Sequence, residues 1–240
     1  MKNWFSRGLY QEDIKIIACL CMLIDHIGMI FFSAADLFRI IGRIAFPLYC
    51  FLLTEGFAHT RDKRKYALRL LLTTVLSELP YDLANYGEVF LPRCSVMVTL
   101  LLGFCALWFL ERADSPKKAI PAMAMILLCV FTANQLHSDY GGNGVLMVLV
   151  LAVTADFPRS FLLRFPIMGI LCYAIGGFTV HLWSIGIPVE LFALLSLPFI
   201  ACYNGRKRGL PRAANRIFYG FYPGHLLILY FIKLLTRSAL

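Results

Sequence analysis

The chain has little charge and no long polar stretch. Only 15% of its 240 residues are charged, where a soluble domain carries about 25%. Hydrophobic residues make up 60%, against roughly 45–50% in soluble proteins. No polar segment is long enough to fold as a soluble domain. We therefore expect an integral membrane protein whose residues 1–240 form a single transmembrane domain.

Motifs for metal, redox or nucleic-acid chemistry are also missing. The eight cysteines form no Cys-x-x-Cys pair and lie mostly in apolar runs, which favours buried thiols over disulfides or a zinc site. No serine or cysteine stands out as a covalent nucleophile, and we expect no metal. The net charge of +9 comes from basic residues between apolar runs, which is typical of charged loops and not of a nucleic-acid surface.

Long apolar runs separated by polar segments indicate an all-α, polytopic transmembrane bundle. Nine helices give the best count, with eight or ten as alternatives. In this arrangement the segments on one side hold 16 Lys and Arg residues and those on the other side hold three. Such an imbalance predicts a cytoplasmic N terminus in a multi-pass membrane protein. The predicted helices span about 14–33, 38–57, 67–85, 95–111, 119–136, 143–156, 167–183, 187–203 and 217–235.

The first apolar run, residues 14–32, carries ionisable groups inside a span long enough to cross a membrane. Lys15 and His26 are eleven residues apart, which places them on one helical stripe about 16 Å from each other. Asp25 points roughly 100° away from that stripe, so we expect it to pair with another helix. Ionisable residues at this depth are functional-site candidates because burying them in lipid is costly.

The second and third helices each carry two like charges four residues apart. Arg39 and Arg43 share one face of the second helix, which Pro47 is expected to kink. Glu78 and Asp82 share one face of the third helix and would repel each other if both were ionised in lipid. We expect the two arginines to pair with these carboxylates. The pattern leaves a structural ion-pair network and a catalytic role equally open.

Two further polar sites are predicted, a loop in the same outer half of the membrane as Arg43 and Glu78, and a histidine near the middle of the membrane. The loop at 137–144, HSDYGGNG, contains Asp139 and Tyr140 beside glycines that permit close ligand approach. His225 follows a Pro-Gly break in the last helix and is a weaker candidate, because a single membrane histidine often forms only an interhelical hydrogen bond. With the basic loops on the cytoplasmic side, this layout suits a reaction between a cytoplasmic donor and an acceptor at the outer leaflet.

The chain resembles the TraX family of bacterial membrane proteins, which is related to conjugal-pilin acetylation. Five segments carry the resemblance in order: DIKIIACLCMLIDHIG, FRIIGRIAFPLYCFLLTEGFAHT, RLLLTTVLSELPYDL, SDYGGNGVL and FYGFYPGHLLIL. The spacing of Lys15 and His26 is also similar to the Arg/Lys-x10-His pattern of membrane acyltransferases that use acetyl-CoA to modify sugars. Ser95 departs from the family pattern, where an amide is expected.

The resemblance implies acyl transfer with acetyl-CoA as co-substrate. Its phosphates would bind cytoplasmic cations, and its thioester would reach His26, the general base. Arg43 would stabilise the oxyanion, and Glu78 or Asp82 would orient His26 or Arg43. The acceptor would be an amine or hydroxyl of a peptide such as pilin, of a glycan or of a lipid. The proposed phosphate-binding cations are Lys15, Arg61, Lys63, Arg64 and Lys65.

Two other classes of protein fit the same residues. Buried His, Asp, Glu and Arg on Pro- and Gly-broken helices are also typical of proton-coupled transporters and lipid flippases. A transporter would often show two similar halves, and we find no internal repeat. A non-catalytic assembly factor for a surface structure is the third alternative, and it would tolerate replacement of His26.

Overall fold

The protein folds into a bundle of nine helical segments within the residues that the computed structural model describes, namely 8–32, 36–89, 92–155, 160–182, 185–209 and 211–237. Eight of the nine segments lie within a few residues of the predicted bounds, and the seventh lies seven to eight residues earlier, at Ser160–Ile175 instead of 167–183. A two-stranded hairpin lies between the seventh and eighth. The helices are α1 (Gln11–Phe31), α2 (Asp36–His59), α3 (Lys63–Tyr86), α4 (Val96–Glu111), α5 (Pro116–Gln135), α6 (Gly141–Val153), α7 (Ser160–Ile175), α8 (Val189–Ala201) and α9 (Arg212–Arg237), and the strands are β1 (Thr179–Leu182) and β2 (Ile185–Pro188).

Helix α2 is interrupted at Ile44, where one turn residue separates Asp36–Arg43 from Ala45–His59. Pro47 lies three residues further on and has no backbone N–H to donate to the carbonyl of Arg43. Its ring also crowds that carbonyl in a regular helix. The break therefore falls in the turn before the proline, as the predicted kink requires.

The region after α7 differs from the prediction, which continued a helix to residue 183. Helix α7 ends at Ile175, and Gly176 and Gly177 follow with φ of 79° and 91°. Two successive left-handed glycines stop a helix. Strands β1 and β2 then pair antiparallel, with Thr179 opposite Pro188. Helix α8 begins as a 3-10 helix and becomes α-helical only at Leu197.

Helix α2 lies at the centre of the bundle and packs against α1, α4, α6 and α8, while α9 lies between α1 and α3. The ring α1, α2, α4, α3 and α9 encloses an internal space. Large apolar side chains such as Leu48, Phe104, Met147 and Leu226 are fully buried where these helices meet. In lipid these side chains stabilise the bundle through van der Waals packing between helices and not through removal of apolar surface from water.

The outer surface is apolar, as expected for a protein surrounded by lipid. Within the described residues, four helices are long and apolar enough to cross a membrane: α1, α2, α5 and the segment Ile217–Thr236 of α9. Outward-facing side chains on them include Ile120 and Leu235, which are 78% and 72% exposed. Exposed apolar faces of this extent are rare in soluble monomers. The fold is therefore that of an all-α membrane protein.

The two ends of the bundle differ in charge, since the basic residues in the connections are Arg61, Arg112, Arg206, Lys207 and Arg208 at one end and Arg93 at the other. We call the basic face the end that holds the start of α1, the connections at 60–62 and 112–115, and the segment 202–209. The opposite face holds the connections at 87–95 and 136–140 and the β hairpin.

Candidate functional site

A cavity of about 690 Å³ lies inside the ring of five helices. It extends from the basic face, where Lys15, Arg69 and Lys207 line it, to an inner end at Met22 and Tyr222. Its wall between these ends is mainly aliphatic and aromatic, with Leu52, Leu53, Leu70, Leu100, Tyr49 and Tyr66 among the lining residues.

Three cations from different parts of the chain line the cavity on the side of the basic face, together with the acidic residue Glu12. Lys15 lies with its Nζ 5.2 Å from the centre of the Phe218 ring, and the Arg69 guanidinium lies 5.6 Å from the Tyr66 ring. Lys207 comes from the connection before α9. Lys15 was predicted as a donor-binding cation from its place on α1. Arg69 and Lys207 were missed, although Arg69 interrupts an apolar run and could have been noticed.

The segment 202–209, which we call the strap, crosses the N-terminal end of α1. The backbone N–H of Arg208 donates to a carboxylate oxygen of Glu12 at 2.8 Å, and its guanidinium bonds to both oxygens of Asp13 at 2.8 Å. These bonds fix the strap on the first turn of α1. They thereby hold the neighbouring Lys207 at the cavity mouth.

His26 lies directly beyond the inner end of the cavity. Its Nδ1 is 3.0 Å from the carbonyl oxygen of Met22, one of the residues at that end. Its ring centre is 6.5 Å from that of Tyr222, the other. The same Nδ1 is 3.0 Å from Nε2 of His225, whose own Nδ1 is 2.7 Å from the carbonyl oxygen of Phe221. The structure therefore joins two of the predicted site histidines into one pair, in which His225 is buried and His26 is partly buried.

Asp25 belongs to a cluster of four charges beside the histidines. Arg43 donates to both oxygens of Asp25 at 2.9 and 3.1 Å and to Glu190 at 2.6 Å, and Arg39 lies 3.0 Å from Asp25. The prediction that Asp25 pairs with another helix is confirmed. Glu190 was not anticipated from the sequence, although it is a single acid in an apolar run.

The predicted pairing of Arg43 with the carboxylates of α3 is wrong. Arg43 is directed toward α1 and α8, because α2 lies between those helices. Glu78 accepts instead from Ser95, through the hydroxyl at 2.6 Å and the backbone N–H at 3.1 Å. Ser95 is fully buried and caps the start of α4, so Glu78 stabilises that helix end. Asp82 is also buried, on the same helix as Glu78.

Asp139 and Tyr140 form the polar link between α5 and α6. The hydroxyl of Tyr81 donates to Asp139 at 3.1 Å, and Thr99 bonds to the Asp139 carbonyl. Burial raises the pKa of Asp139 to about 6. Tyr140 stacks on Phe46 with ring centres 3.8 Å apart, and its ring lies 5.8 Å from the Arg43 guanidinium. This loop therefore adjoins the charge cluster, as the sequence layout suggested.

The other predicted donor-binding cations lie away from the cavity. Lys63 pairs with Glu111, and Lys65 pairs with Asp62 at 3.2 Å. Arg61 and Arg64 are exposed. None of these four cations is among the described residues that line the cavity.

Fold and site together define a helical membrane protein with an internal cavity that runs from a basic mouth to a pair of histidines. The chain belongs to the TraX protein family, whose model matches residues 10–233. It is 30% identical to the probable fimbrial assembly protein FimC, serogroup H1, of Dichelobacter nodosus over 240 residues, which cover 94% of this chain and 96% of that protein. It is 31% identical over 104 residues to the uncharacterized protein RP591 of Rickettsia prowazekii (strain Madrid E), covering 43% of this chain and 39% of that protein. No solved structure matches the chain.

Proposed function

We propose that the protein is a membrane acyltransferase that takes an acetyl group from acetyl-CoA at its basic, cytoplasmic face. The acceptor is an amine or hydroxyl group presented from the opposite side of a bacterial cytoplasmic membrane. The observation that carries this proposal is the cavity, which begins at three cations and ends beside the partly buried His26.

The residues along the cavity fit the parts of acetyl-CoA in order. Phosphate groups need charge-assisted donors, which Lys15, Arg69 and Lys207 supply at the mouth. The pantetheine arm is thin and largely apolar, which suits the aliphatic and aromatic wall. The volume of about 690 Å³ lies within the roughly 300–1,000 Å³ of small-molecule sites. Lys15 and His26 are eleven residues apart on α1, so about 16 Å separates the phosphate end from the histidine.

The chemistry assigned to His26 is general base and then general acid catalysis. The unprotonated ring nitrogen removes a proton from the acceptor amine or hydroxyl as its nitrogen or oxygen attacks the thioester carbonyl carbon. The tetrahedral intermediate then collapses with cleavage of the carbon–sulfur bond. The protonated imidazole returns its proton to the departing sulfur, which yields free CoA and the acetylated acceptor.

The geometry supports structural roles for Arg43 and Glu78, which were first considered for catalysis. All three guanidinium nitrogens of Arg43 already donate, to Asp25, to Glu190 and to the Arg39 carbonyl oxygen at 3.4 Å. We therefore assign Arg43 a structural role, in which its ion pairs join α1, α2 and α8 around the site. Glu78 is assigned the role of stabilising the start of α4, because both of its carboxylate oxygens accept hydrogen bonds from Ser95.

The nature of the acceptor is suggested by the relatives. Membership of the TraX family and the likeness to a probable fimbrial assembly protein favour a pilin-like peptide whose N-terminal amine is acetylated. A glycan or lipid of the cell envelope presents the same kind of nucleophile. The acceptor assay therefore includes all three classes.

The proposal is tested with purified protein in nanodiscs and labelled acetyl-CoA. Wild type should bind acetyl-CoA and hydrolyse it slowly in the absence of an acceptor. His26→Ala should bind without turnover, and Lys15→Ala should bind weakly. Absence of binding by wild type would refute the proposal.

A proton-coupled transporter is the second candidate, favoured by the histidine pair next to four charged side chains. Such a protein would move protons or a solute across sealed liposomes. A pH-sensitive dye inside proteoliposomes distinguishes the two functions, because an acyltransferase leaves the internal pH unchanged when acetyl-CoA is added outside.

A further inference from the structure

His225 and His26 come from the two ends of the chain and meet inside the bundle. The Nε2 atom of His225 on α9 lies 3.0 Å from Nδ1 of His26 on α1, and the ring centres are 4.9 Å apart. His225 is 5% exposed, and the Phe221 ring stacks on it at 5.0 Å with an interplanar angle of 14°. This packing leaves the His225 ring little freedom to rotate.

The three contacts of the pair fix which nitrogens carry protons. A backbone carbonyl only accepts hydrogen bonds, so Nδ1 of His225 donates to Phe221 and Nδ1 of His26 donates to Met22. In its neutral form His225 then has an unprotonated Nε2, which accepts. The Nδ1 proton of His26 is therefore shared between the Met22 carbonyl and His225. One neutral tautomer of each ring satisfies all three bonds.

We propose that His225 is a positioning residue that keeps Nε2 of His26 unprotonated and available as the base. By accepting from Nδ1–H, His225 stabilises the tautomer in which the proton is on the far nitrogen from the acceptor. It also fixes the plane of the ring. This role is the one that a carboxylate plays beside a catalytic histidine, performed here by a neutral imidazole. The inference rests on the proposed function, in which His26 is the base.

The test compares His225→Gln with His225→Leu. The side-chain oxygen of glutamine is four bonds from Cα, as is Nε2 of histidine, so it can accept the same proton. Leucine fills similar space and accepts nothing. We expect His225→Leu to lower kcat about 10–100-fold, as loss of an orienting partner of a histidine commonly does, with acetyl-CoA binding unchanged. His225→Gln should stay within a few-fold of wild type. His181→Ala, on the exposed side of β1, is the matched control.

Nitrogen-15 NMR of labelled histidine provides a readout that does not depend on turnover. In wild type, Nδ1 of His26 should give the shift of a protonated nitrogen and Nε2 that of an unprotonated one. His225→Leu should move the two shifts toward each other, and His225→Gln should restore them. His225→Met replaces the leucine variant if the latter does not fold.

The two proposals are refuted by different results. Wild-type kcat in His225→Leu, or a protonated Nε2 on His26 in wild type, would overturn the positioning role. Equal loss of kcat in the Gln and Leu variants would also overturn it. Wild type without acetyl-CoA binding would refute the acyltransferase function, while the NMR shifts would still decide whether His225 sets the tautomer of His26.

Discussion

Replacing Gly42 by alanine should break the charge cluster at its tightest point. A Cβ on Gly42 would lie 2.2 Å from Oδ1 and 2.3 Å from Cγ of Asp25, where ordinary contacts are 3.4–4 Å. The carboxylate of Asp25 must therefore move by roughly 1 Å. A shift of that size lengthens its bonds to Arg43, now 2.9 and 3.1 Å, beyond hydrogen-bonding distance.

The expected cost follows from the burial of this pair. The side chains of Arg43 and Asp25 are 9% and 12% exposed, and breaking a buried ion pair costs about 3–5 kcal/mol. For a chain of this size each kcal/mol lowers the melting temperature by about 2–4 °C, so we expect a fall of roughly 6–20 °C.

A thiol-reactive dye provides the assay, because buried free cysteines such as Cys19, Cys50 and Cys172 react only after unfolding. Gly220→Ala is the matched control. An added Cβ there meets nothing within 4 Å, and alanine in a helix is favoured over glycine by about 0.5–1 kcal/mol. A melting temperature of Gly42→Ala equal to that of wild type would refute the close packing of α1 on α2 at Asp25.

Three further predictions concern single residues. Lys207→Ala should weaken acetyl-CoA binding about 10-fold, since a charge-assisted phosphate contact is lost, whereas Lys65→Ala should leave binding unchanged. Equal binding titration curves for the two variants would contradict the placement of the phosphates at the mouth of the cavity. Glu78→Ala should destabilise the protein by about 1–3 kcal/mol, because it leaves two buried donors of Ser95 unsatisfied, and a normal melting temperature would argue against the capping role. The pKa of Asp139 is raised to about 6, so its carboxyl binds a proton in the folded state at a pH where the unfolded chain, with a pKa of about 3.9, does not. Stability should therefore rise as the pH falls from about 6.5 to about 4.5, and Asp139→Asn should remove this rise in the melting curves.

Long apolar runs made the helices predictable. Helix α1 was expected at 14–33 and lies at Gln11–Phe31, because a run of this length in lipid must satisfy its backbone internally as a helix. Residues 167–183 and 187–203 were predicted as two helices, yet strands β1 and β2 lie at Thr179–Leu182 and Ile185–Pro188. A short apolar run flanked by glycines fits a strand as well as a helix, and periodicity alone does not decide between them.

The candidate site was only partly predictable. Lys15 and His26 were identified because their spacing lies within one helix, where geometry follows directly from sequence. Partners on different helices depend on the packing order, which the sequence does not state. Arg43 was paired with the next helix along the chain, yet it bonds to Glu190, 147 residues away. The residues His26 and His225 are 199 positions apart, and their contact could likewise not be predicted from the sequence.

The most direct test of the central claim is an experimental structure of the protein in nanodiscs with a non-hydrolysable thioether analogue of acetyl-CoA. We predict density through the cavity, with the phosphates on Lys15, Arg69 and Lys207 and the acyl group beside the His26 ring. An analogue bound outside the cavity, or with its acyl group away from His26, would contradict the account.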